Sequence, residues 1–222
     1  MSDSLSDRNL VDNTDMNTPI EPVEGANTPD RRLYLVRHGE TADNAAGRFL
    51  GRTDPPLNDR GVIQAQQSAA TIAAFGIEAV VSSPARRALE TAELLNLSDP
   101  IIESGFREID FGDWEGLTQD EVAERDPVNF AAFTGGDISG FPGGETVAGV
   151  ADRTMAAVAT HTSTTLLVVT HATVIRILVV ALLGLPVTRY RSSFDRPGNL
   201  SITELSCTNG AWSLESYAMT SS

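Results

Sequence analysis

The chain has 222 residues, a length typical of one domain with a sizeable core, and a net charge of −14. That charge argues against binding to nucleic acid or to anionic membranes, because both need a cationic protein surface. All 16 basic residues are arginine, which excludes Schiff-base enzymes, lysine-anchored pyridoxal enzymes and P-loop nucleotide hydrolases. The single cysteine, Cys207, cannot form an internal disulfide, so we expect a reducing compartment, the cytoplasm.

The first 30 residues contain seven acids, one arginine and few large apolar side chains. Such a segment cannot bury enough apolar surface to offset its ordering entropy. It also lacks the basic and apolar regions of a secretory signal. We therefore expect residues 1–30 to be a disordered acidic tail and residues 31–222 to form the domain. The apolar run 166–185 contains His171 and Arg176, which favours a strand and a buried helix over a membrane span.

From residue 31 onward, patterns typical of strands and helices alternate along the chain. The predicted strands are 31–37, 79–82, 100–103, 164–170, 199–207 and 212–217. The last two form a hairpin around Asn209-Gly210, a strong turn signal. Strands separated by helices predict an α/β fold of three layers, α/β/α, with a mainly parallel central sheet.

The predicted helices differ in the strength of their signals. Their ranges are 58–75, 84–95, 119–133, 145–161 and 174–183. The first is capped by Asn58 or Asp59 and stops at Gly76, and the third is weak and interrupted by Pro127. We expect 107–118 to be an ordered loop and 135–144 a glycine-rich surface loop.

Two predicted strands end in a histidine. Arg37-His38-Gly39 follows the first strand, and His171 follows Thr170 immediately before a helix. Open α/β sheets bind ligands at the carboxyl edge of their strands. Arginine presents a rigid fork to phosphate oxygens, and histidine can be a nucleophile at neutral pH. A lone His171 would be interpreted as a core residue, but two such strand ends in one chain favour phosphoryl chemistry on an imidazole.

The helix predicted at 84–95 brings two arginines to the same region. Ser83 is the expected N-cap, and Arg86 and Arg87 lie in the first turn. One arginine can bind an anion at the sheet edge while the other pairs with surface acids. The spacing alone leaves both assignments open.

Two loops supply further candidates. Residues 106–116 carry several acids among aromatic and small residues, and a partly enclosed carboxyl can act as a general acid. A charged surface loop is the alternative for most of these acids, so we expect at most one to be catalytic. In the other loop, Asn44, Arg48 and Gly51 suit the wrapping of a phosphate by an amide, a guanidinium and backbone N–H groups.

In their order and spacing these motifs resemble the histidine phosphatase superfamily, also called phosphoglycerate mutase-like. The resemblance spans about residues 32–176 and includes a C-terminal hairpin. It rests on Arg37-His38-Gly39, Asn44, Ser83-Pro84, Arg87-Ala88, Glu108, Gly143-Gly144-Glu145-Thr146 and His171.

The resemblance implies a division of labour at the site. His38 would be the nucleophile that carries the phosphoryl group, and Glu108 would protonate the leaving alcohol and then activate water. Arg37, Arg87 and His171 would hold the equatorial phosphate oxygens. No metal or cofactor is implied.

The resemblance also extends to the substrate pocket. It adds Thr41 and Asn44 to the substrate contacts and assigns Arg86 to a position outside the phosphate pocket. Ala172 departs from the glycine that the family often has after the second histidine, and its Cβ narrows the pocket while its N–H stays available.

The acceptor of the phosphoryl group separates two activities. Family mutases have basic residues after the catalytic glutamate that bind the substrate carboxylate, whereas this chain has only Arg125 between Glu108 and Gly143. We therefore predict a phosphomonoesterase for a small phosphorylated metabolite, acting as a monomer or homodimer and resembling α-ribazole and sugar-phosphate phosphatases. A mutase, a phosphoprotein phosphatase in signalling and a catalytically silent binding module are the alternatives.

Overall fold

One sheet of six strands organises the residues that the computed structural model describes, 30–136 and 138–220. The strands are β1 Arg31–Arg37, β2 Ala79–Ser82, β3 Ile101–Ile102, β4 Thr165–Thr170, β5 Ile202–Thr208 and β6 Ala211–Met219. Their order across the sheet is β3-β2-β4-β1-β5-β6. The predicted tail falls almost entirely outside the described residues.

The sheet is mixed, with a parallel part and an antiparallel edge. Strands β1, β2, β3 and β4 pair in parallel, whereas β5 runs antiparallel to both β1 and β6. The β5–β6 hairpin turns at Asn209 and Gly210, whose φ angles of 51° and 81° match the positive φ that such a turn requires. The prediction of a mainly parallel sheet with a C-terminal hairpin is confirmed.

Helices cover the sheet and connect its strands. Their bounds are α1 Ala42–Ala45, α2 Asp59–Ala73, α3 Arg86–Leu95, α4 Gln119–Arg125, α5 Pro127–Gly135, α6 Val147–Thr160, α7 Ala172–Leu182 and α8 Tyr190–Ser193. Asn58 caps α2 by accepting the Gly61 N–H at 2.8 Å. Pro127 begins α5 instead of interrupting a single helix, because an N-terminal proline needs no N–H partner.

The side chains of β1 point alternately to the two faces of the sheet, which explains the three layers. Leu33 and Leu35 point to one face and pack in a core with α6 and α7. Tyr34 and Val36 point to the other face and pack in a core with α2 and α3. Both faces are therefore buried, as expected for a doubly covered sheet, and the predicted three-layer α/β/α fold is confirmed.

The pairing of β1 with β4 sets the position of the two histidines. Arg37 is in register with Thr170, so the next residue of each strand lies at the same carboxyl edge of the sheet. The His38 N–H donates to the Thr170 carbonyl at 2.9 Å and extends the ladder by one step. The run 166–185 forms β4 and the buried helix α7, as predicted, and within the described residues no helix is long and apolar enough to cross a membrane.

The loop that follows β3 packs closely on the glycine-rich loop before α6, and this contact generates a prediction. Gly112 has a φ of +53°, and a Cβ there would lie 2.1 Å from the Pro142 carbonyl oxygen. Gly116 has a similar φ of +75°, but no atom lies within 4 Å of its Cβ position. Gly116→Ala should lower the free energy of unfolding by about 1–2 kcal/mol through backbone strain alone.

Gly112→Ala should lower the free energy of unfolding by a further ~1–3 kcal/mol. The new Cβ would clash with the backbone of the facing loop, which cannot move aside without disturbing that loop. Urea unfolding of both variants measures the difference. Equal losses would mean that the contact between the two loops is loose.

Candidate active site

The site is built around two neighbouring imidazoles. The ring centroids of His38 and His171 are 5.1 Å apart, with an angle of 61° between the ring planes. His38 is 3% exposed and His171 is fully buried. The two strand ends that the sequence singled out therefore form one centre.

Hydrogen bonding sets the tautomer of His38. Its Nδ1 lies 2.7 Å from the Gly39 carbonyl oxygen, which can only accept, so Nδ1 carries the proton. The lone pair is therefore on Nε2, which makes no hydrogen bond to a described residue. His38 lines a cavity of about 250 Å³. Nε2 is thus the nitrogen available for attack on a ligand.

His171 is oriented by Ser83. Its Nε2 lies 2.8 Å from the Ser83 hydroxyl oxygen, and its Nδ1 is buried without a partner in the described chain. The prediction that Ser83 caps α3 is wrong, since the helix begins at Arg86 and Ala85 occupies the N-cap without a side-chain bond. The Ser83 hydroxyl holds the second histidine instead.

Both imidazoles are kept neutral by their surroundings. Burial, followed by the charges of Arg87 and Arg37, lowers the pKa of His38 well below its usual range. Burial, Arg87 and His38 act in the same direction on the pKa of His171. A neutral imidazole is the form that can act as a nucleophile.

Arg37 and Arg87 flank the histidine pair. Arg87 is fully buried and donates to the carbonyls of Thr53 and Gly51 at 2.9 and 3.0 Å. Arg37 donates to the Pro197 carbonyl at 2.8 Å, and burial together with the charge of Arg196 lowers its pKa to about 9. The Nε atoms of Arg37 and Arg87 are buried without partners among the described residues. Such atoms suit a bound anion, which would satisfy them.

The two neighbouring arginines of α3 have different environments. Arg87 is fully buried, whereas Arg86 is exposed and pairs with Glu90 at 2.7 Å on the same helix. The first helical turn therefore directs Arg87 toward the histidines and Arg86 toward solvent. The spacing in the sequence left open which of the two arginines faces the sheet edge, and the resemblance implied Arg87. The side of α3 that packs on the sheet is the side that carries Arg87.

Glu108 is the acid that reaches the cavity from the loop after β3. It is 6% exposed and accepts the N–H groups of Ile109 at 2.9 Å and of Thr173 at 3.2 Å. Glu115 instead binds the N–H groups of Gly51 and Arg52. Glu108 is thus the acid of residues 106–116 that lines the cavity, and its catalytic role stays a prediction.

The predicted substrate contacts fall into two groups. Asn44, Arg48 and Ala172 line the cavity, and Arg48 also donates to the Gly116 carbonyl at 2.6 Å. Thr41 is buried, and its hydroxyl accepts the Asn44 N–H in a capping box at the start of α1. The roles of these residues toward substrate stay predictions.

Gly51 differs from the expectation of a phosphate contact. Its N–H donates to Glu115 at 3.1 Å and its carbonyl accepts from Arg87, so neither group is free for a ligand. A Cβ at this position would lie 2.2 Å from the Glu115 carboxylate. Gly51 therefore supports Arg87.

Sequence reasoning missed the segment between α7 and β5. Arg191, Phe194 and Arg196 from this segment line the cavity, as does Arg176 of α7. Asn199 donates to the His38 carbonyl at 2.9 Å and to the Asn44 side chain at 3.2 Å. Three arginines between residues 189 and 196 were the available signal. The cavity has a volume of about 250 Å³.

Comparisons with known proteins agree with this geometry. Phosphoserine phosphatase 1 of Hydrogenobacter thermophilus is 41% identical over 103 residues, which are 45% of this chain and 48% of that protein. A solved mycobacterial glucosyl-3-phosphoglycerate phosphatase is 30% identical, with a TM-score of 0.79 over 86% of this chain and 100% of that one. The α-ribazole phosphatase of Shigella flexneri is 26% identical, with a TM-score of 0.74 over 85% of this chain and 96% of that one.

Matches to curated relatives are shorter than matches to solved structures. The chain spans about half or less of the curated relatives that it matches, between 29% and 52%. The family model described as histidine phosphatase superfamily (branch 1) matches residues 33–220. That range holds the paired strand ends, both histidines, Glu108 and the C-terminal hairpin. The chain belongs to the histidine phosphatase superfamily.

Proposed function

We propose that this protein is a metal-independent phosphomonoesterase that hydrolyses a small phosphorylated metabolite through a phosphohistidine on His38. The observation that carries the proposal is the neutral His38 imidazole, with its proton fixed on Nδ1 and its Nε2 free beside buried arginines. The phosphatase activities named for the relatives and structural neighbours support the same reaction class.

In the first step, His38 Nε2 attacks phosphorus, and the bond from phosphorus to the substrate's ester oxygen breaks. Protonated Glu108 gives its proton to the departing oxygen, so the product leaves as a neutral alcohol. The Nδ1–H bond to the Gly39 carbonyl stabilises the positive charge that develops on the ring.

In the second step, water attacks the phosphohistidine, and the bond between phosphorus and Nε2 breaks. Glu108, now a carboxylate, takes a proton from the water. Orthophosphate leaves, and His38 and Glu108 return to their starting states. Each step needs only groups that the chain itself supplies.

Electrostatic stabilisation of the transferring group is the task of Arg37, Arg87 and His171. Phosphoryl transfer spreads negative charge over three equatorial oxygens, and fixed cations in a water-poor site stabilise that charge strongly. Among the described residues the Nε–H groups of the two arginines have no partner and are donors already in place, and Nδ1 of His171 is also without a partner. Their preorganisation supports catalysis without rearrangement.

The size of the cavity favours a small metabolite over a phosphoprotein. A volume of about 250 Å³ is near the lower end of small-molecule pockets, which start at roughly 300 Å³. Release of orthophosphate from a panel of phosphomonoesters tests the reaction, with phosphoserine, sugar phosphates and 3-phosphoglycerate included. Conversion of 3-phosphoglycerate to an isomer without orthophosphate release would identify a mutase instead.

The nucleophile can be tested directly. Wild-type protein quenched during turnover of ³²P-labelled substrate should carry acid-labile, alkali-stable phosphate on His38. His38→Ala should lower kcat by roughly 10³-fold or more, because no other group can form the covalent intermediate. His161→Ala is the matched control and should keep both the activity and the label, since His161 follows α6 outside the cavity. Label on a residue other than His38 would contradict the assignment.

The role of Glu108 predicts a dependence on the leaving group. Glu108→Gln cannot donate a proton, so hydrolysis of an alkyl phosphate should fall by about 10²–10⁴-fold. Hydrolysis of p-nitrophenyl phosphate should fall far less in its phosphorylation step, because p-nitrophenolate leaves without protonation. Burst kinetics separate that step from dephosphorylation. Equal losses in the phosphorylation rates of both substrates would assign Glu108 a structural role.

The lowered pKa of both histidines predicts acid sensitivity of the fold. In the unfolded chain histidine titrates near pH 6.5, whereas folded His38 and His171 titrate well below that value. The unfolded state therefore binds more protons below pH 6.5, and stability falls as the pH drops from 6.5 toward the folded pKa values. The limiting slope is about 1.4 kcal/mol per pH unit for each histidine.

Imidazole ¹⁵N shifts of the folded protein should show both rings neutral at pH 6.5. Urea unfolding between pH 7 and pH 5.5 measures the accompanying loss of stability. A titration midpoint of His38 at or above 6.5 would contradict the electrostatic account.

A further inference from the structure

The cavity carries more positive charge than one phosphate group needs. Five arginines line it in the described part of the chain, against two acids, Glu108 and Asp195. The protein as a whole has a net charge of −14, so this concentration of cations runs against the general composition. A cationic cavity in an acidic protein raises the local concentration of anionic ligands.

Two of these arginines are held by aromatic rings. The Cζ atom of Arg191 lies 3.6 Å from the ring centroid of Phe133, and that of Arg176 lies 5.1 Å from the ring centroid of Tyr190. A guanidinium stacked on a ring keeps its N–H edges free, because those donors lie in its own plane. The rings therefore help to fix the position of each cation.

These cations also lack counterions. Within the described residues, no carboxylate oxygen lies within 4.0 Å of a side-chain nitrogen of Arg176, Arg191 or Arg196. Arg176 is only 6% exposed and donates one long bond, from Nε to the Ala172 carbonyl at 3.4 Å. The Nε of Arg191 is buried and has no hydrogen-bond partner among the residues that the structure describes. A buried, unpaired cation is costly, and a ligand anion would relieve that cost.

The arginines are held by different parts of the chain. Backbone carbonyls accept from Arg37 and Arg87, whereas Arg176 and Arg191 lie against aromatic rings. Arg87 and Arg37 lower the pKa of both histidines, which identifies them as the cations of the phosphate centre. Burial and then the charge of Arg176 lower the pKa of Arg191, so these two cations belong together. Arg196 lines the same cavity, and its charge lowers the pKa of Arg37 and of Arg191, as the charge of Arg176 also does.

We propose that Arg176, Arg191 and Arg196 bind a second anionic group, a carboxylate or a second phosphate, on the alcohol part of the substrate. The proposal rests on the phosphatase function above and narrows its substrate class to phosphomonoesters with two anionic groups. Glu108 and Asp195 are the acids that line the same cavity as this subsite.

The proposal revises the argument from the shortage of basic residues between Glu108 and Gly143. The cavity-lining residues of that segment are Glu108, Phe111, Gln119 and Phe133. The cations of the cavity come instead from α7 and from the segment before β5. Few basic residues between Glu108 and Gly143 are therefore compatible with a substrate that has a second anionic group.

A matched pair of substrates tests the inference. In 3-phosphoglycerate a carboxylate stands where glycerol 3-phosphate has a hydroxymethyl group, and the phosphate ester is otherwise the same. We expect kcat/KM for 3-phosphoglycerate to exceed that for glycerol 3-phosphate by at least tenfold. Propane-1,3-diol bisphosphate against the monophosphate is the second pair and distinguishes a phosphate subsite from a carboxylate subsite. A preference in either pair supports the proposal, and ratios near one in both would overturn it.

Substitutions of the cavity arginines test which residues produce the preference for the substrate with two anionic groups. Arg191→Gln and the more exposed Arg196→Gln should each lower the ratio of kcat/KM within the preferred pair by at least fivefold. Arg189→Gln is the control, because Arg189 is an exposed arginine of the same segment outside the cavity, and its ratio should stay within twofold of the wild type. An unchanged ratio in both cavity variants would overturn the assignment.

Binding measurements test the second anion subsite independently of the proposed reaction. Calorimetric Kd values of His38→Ala for the same substrate pairs should show a preference of at least tenfold for the ligand that has two anionic groups. If the wild type releases no phosphate from any substrate but the Kd preference is present, the reaction is wrong and the second anion subsite stands. If phosphate is released but the Kd values are equal within both pairs, the proposed reaction is supported and the second anion subsite is contradicted.

Discussion

The parallel pairing of β1 with β4 is the constraint on which the site depends. Because Arg37 is in register with Thr170, the residues that follow the two strands come together at one edge. A shift of one residue would separate His38 from His171 and move every core side chain of β1 to the opposite face. The packing of Leu33 and Leu35 against α6 and α7, and of Tyr34 and Val36 against α2 and α3, opposes that shift.

Burial of charge sets the chemistry at this edge. Arg37 and Arg87 donate to backbone carbonyls, and Arg87 also pairs with Asp54 at 3.9 Å. The charges of both arginines lower the pKa of the two imidazoles. The consequence is a neutral His38 whose single ring proton is directed to Gly39. The same arrangement leaves cationic N–H groups for an anion, so nucleophile activation and phosphate binding have one physical origin.

Much of the fold and of the site could be predicted from the sequence, because the signals were local. The apolar runs of β1 and β4, the Asn58 cap and the Asn209 turn each depend on a few adjacent residues. Ser83 shows the limit of that reasoning: the residue has the chemistry of a helix cap, yet its hydroxyl binds His171, a partner 88 positions away. The arginines before β5 were missed because their segment has no regular periodicity.

By itself, the sequence determined the family, the two reactive strand ends and the absence of lysine chemistry, since these follow from residue types and their order. Only the tertiary structure decided which of Arg86 and Arg87 faces the histidines, that Gly51 supports Arg87, and that Arg176 and Arg191 share a cavity with His38. The reason is that these relations depend on the side of α3 that packs on the sheet and on how the 187–199 segment folds back over β1. Contacts between residues far apart in the chain leave no local pattern.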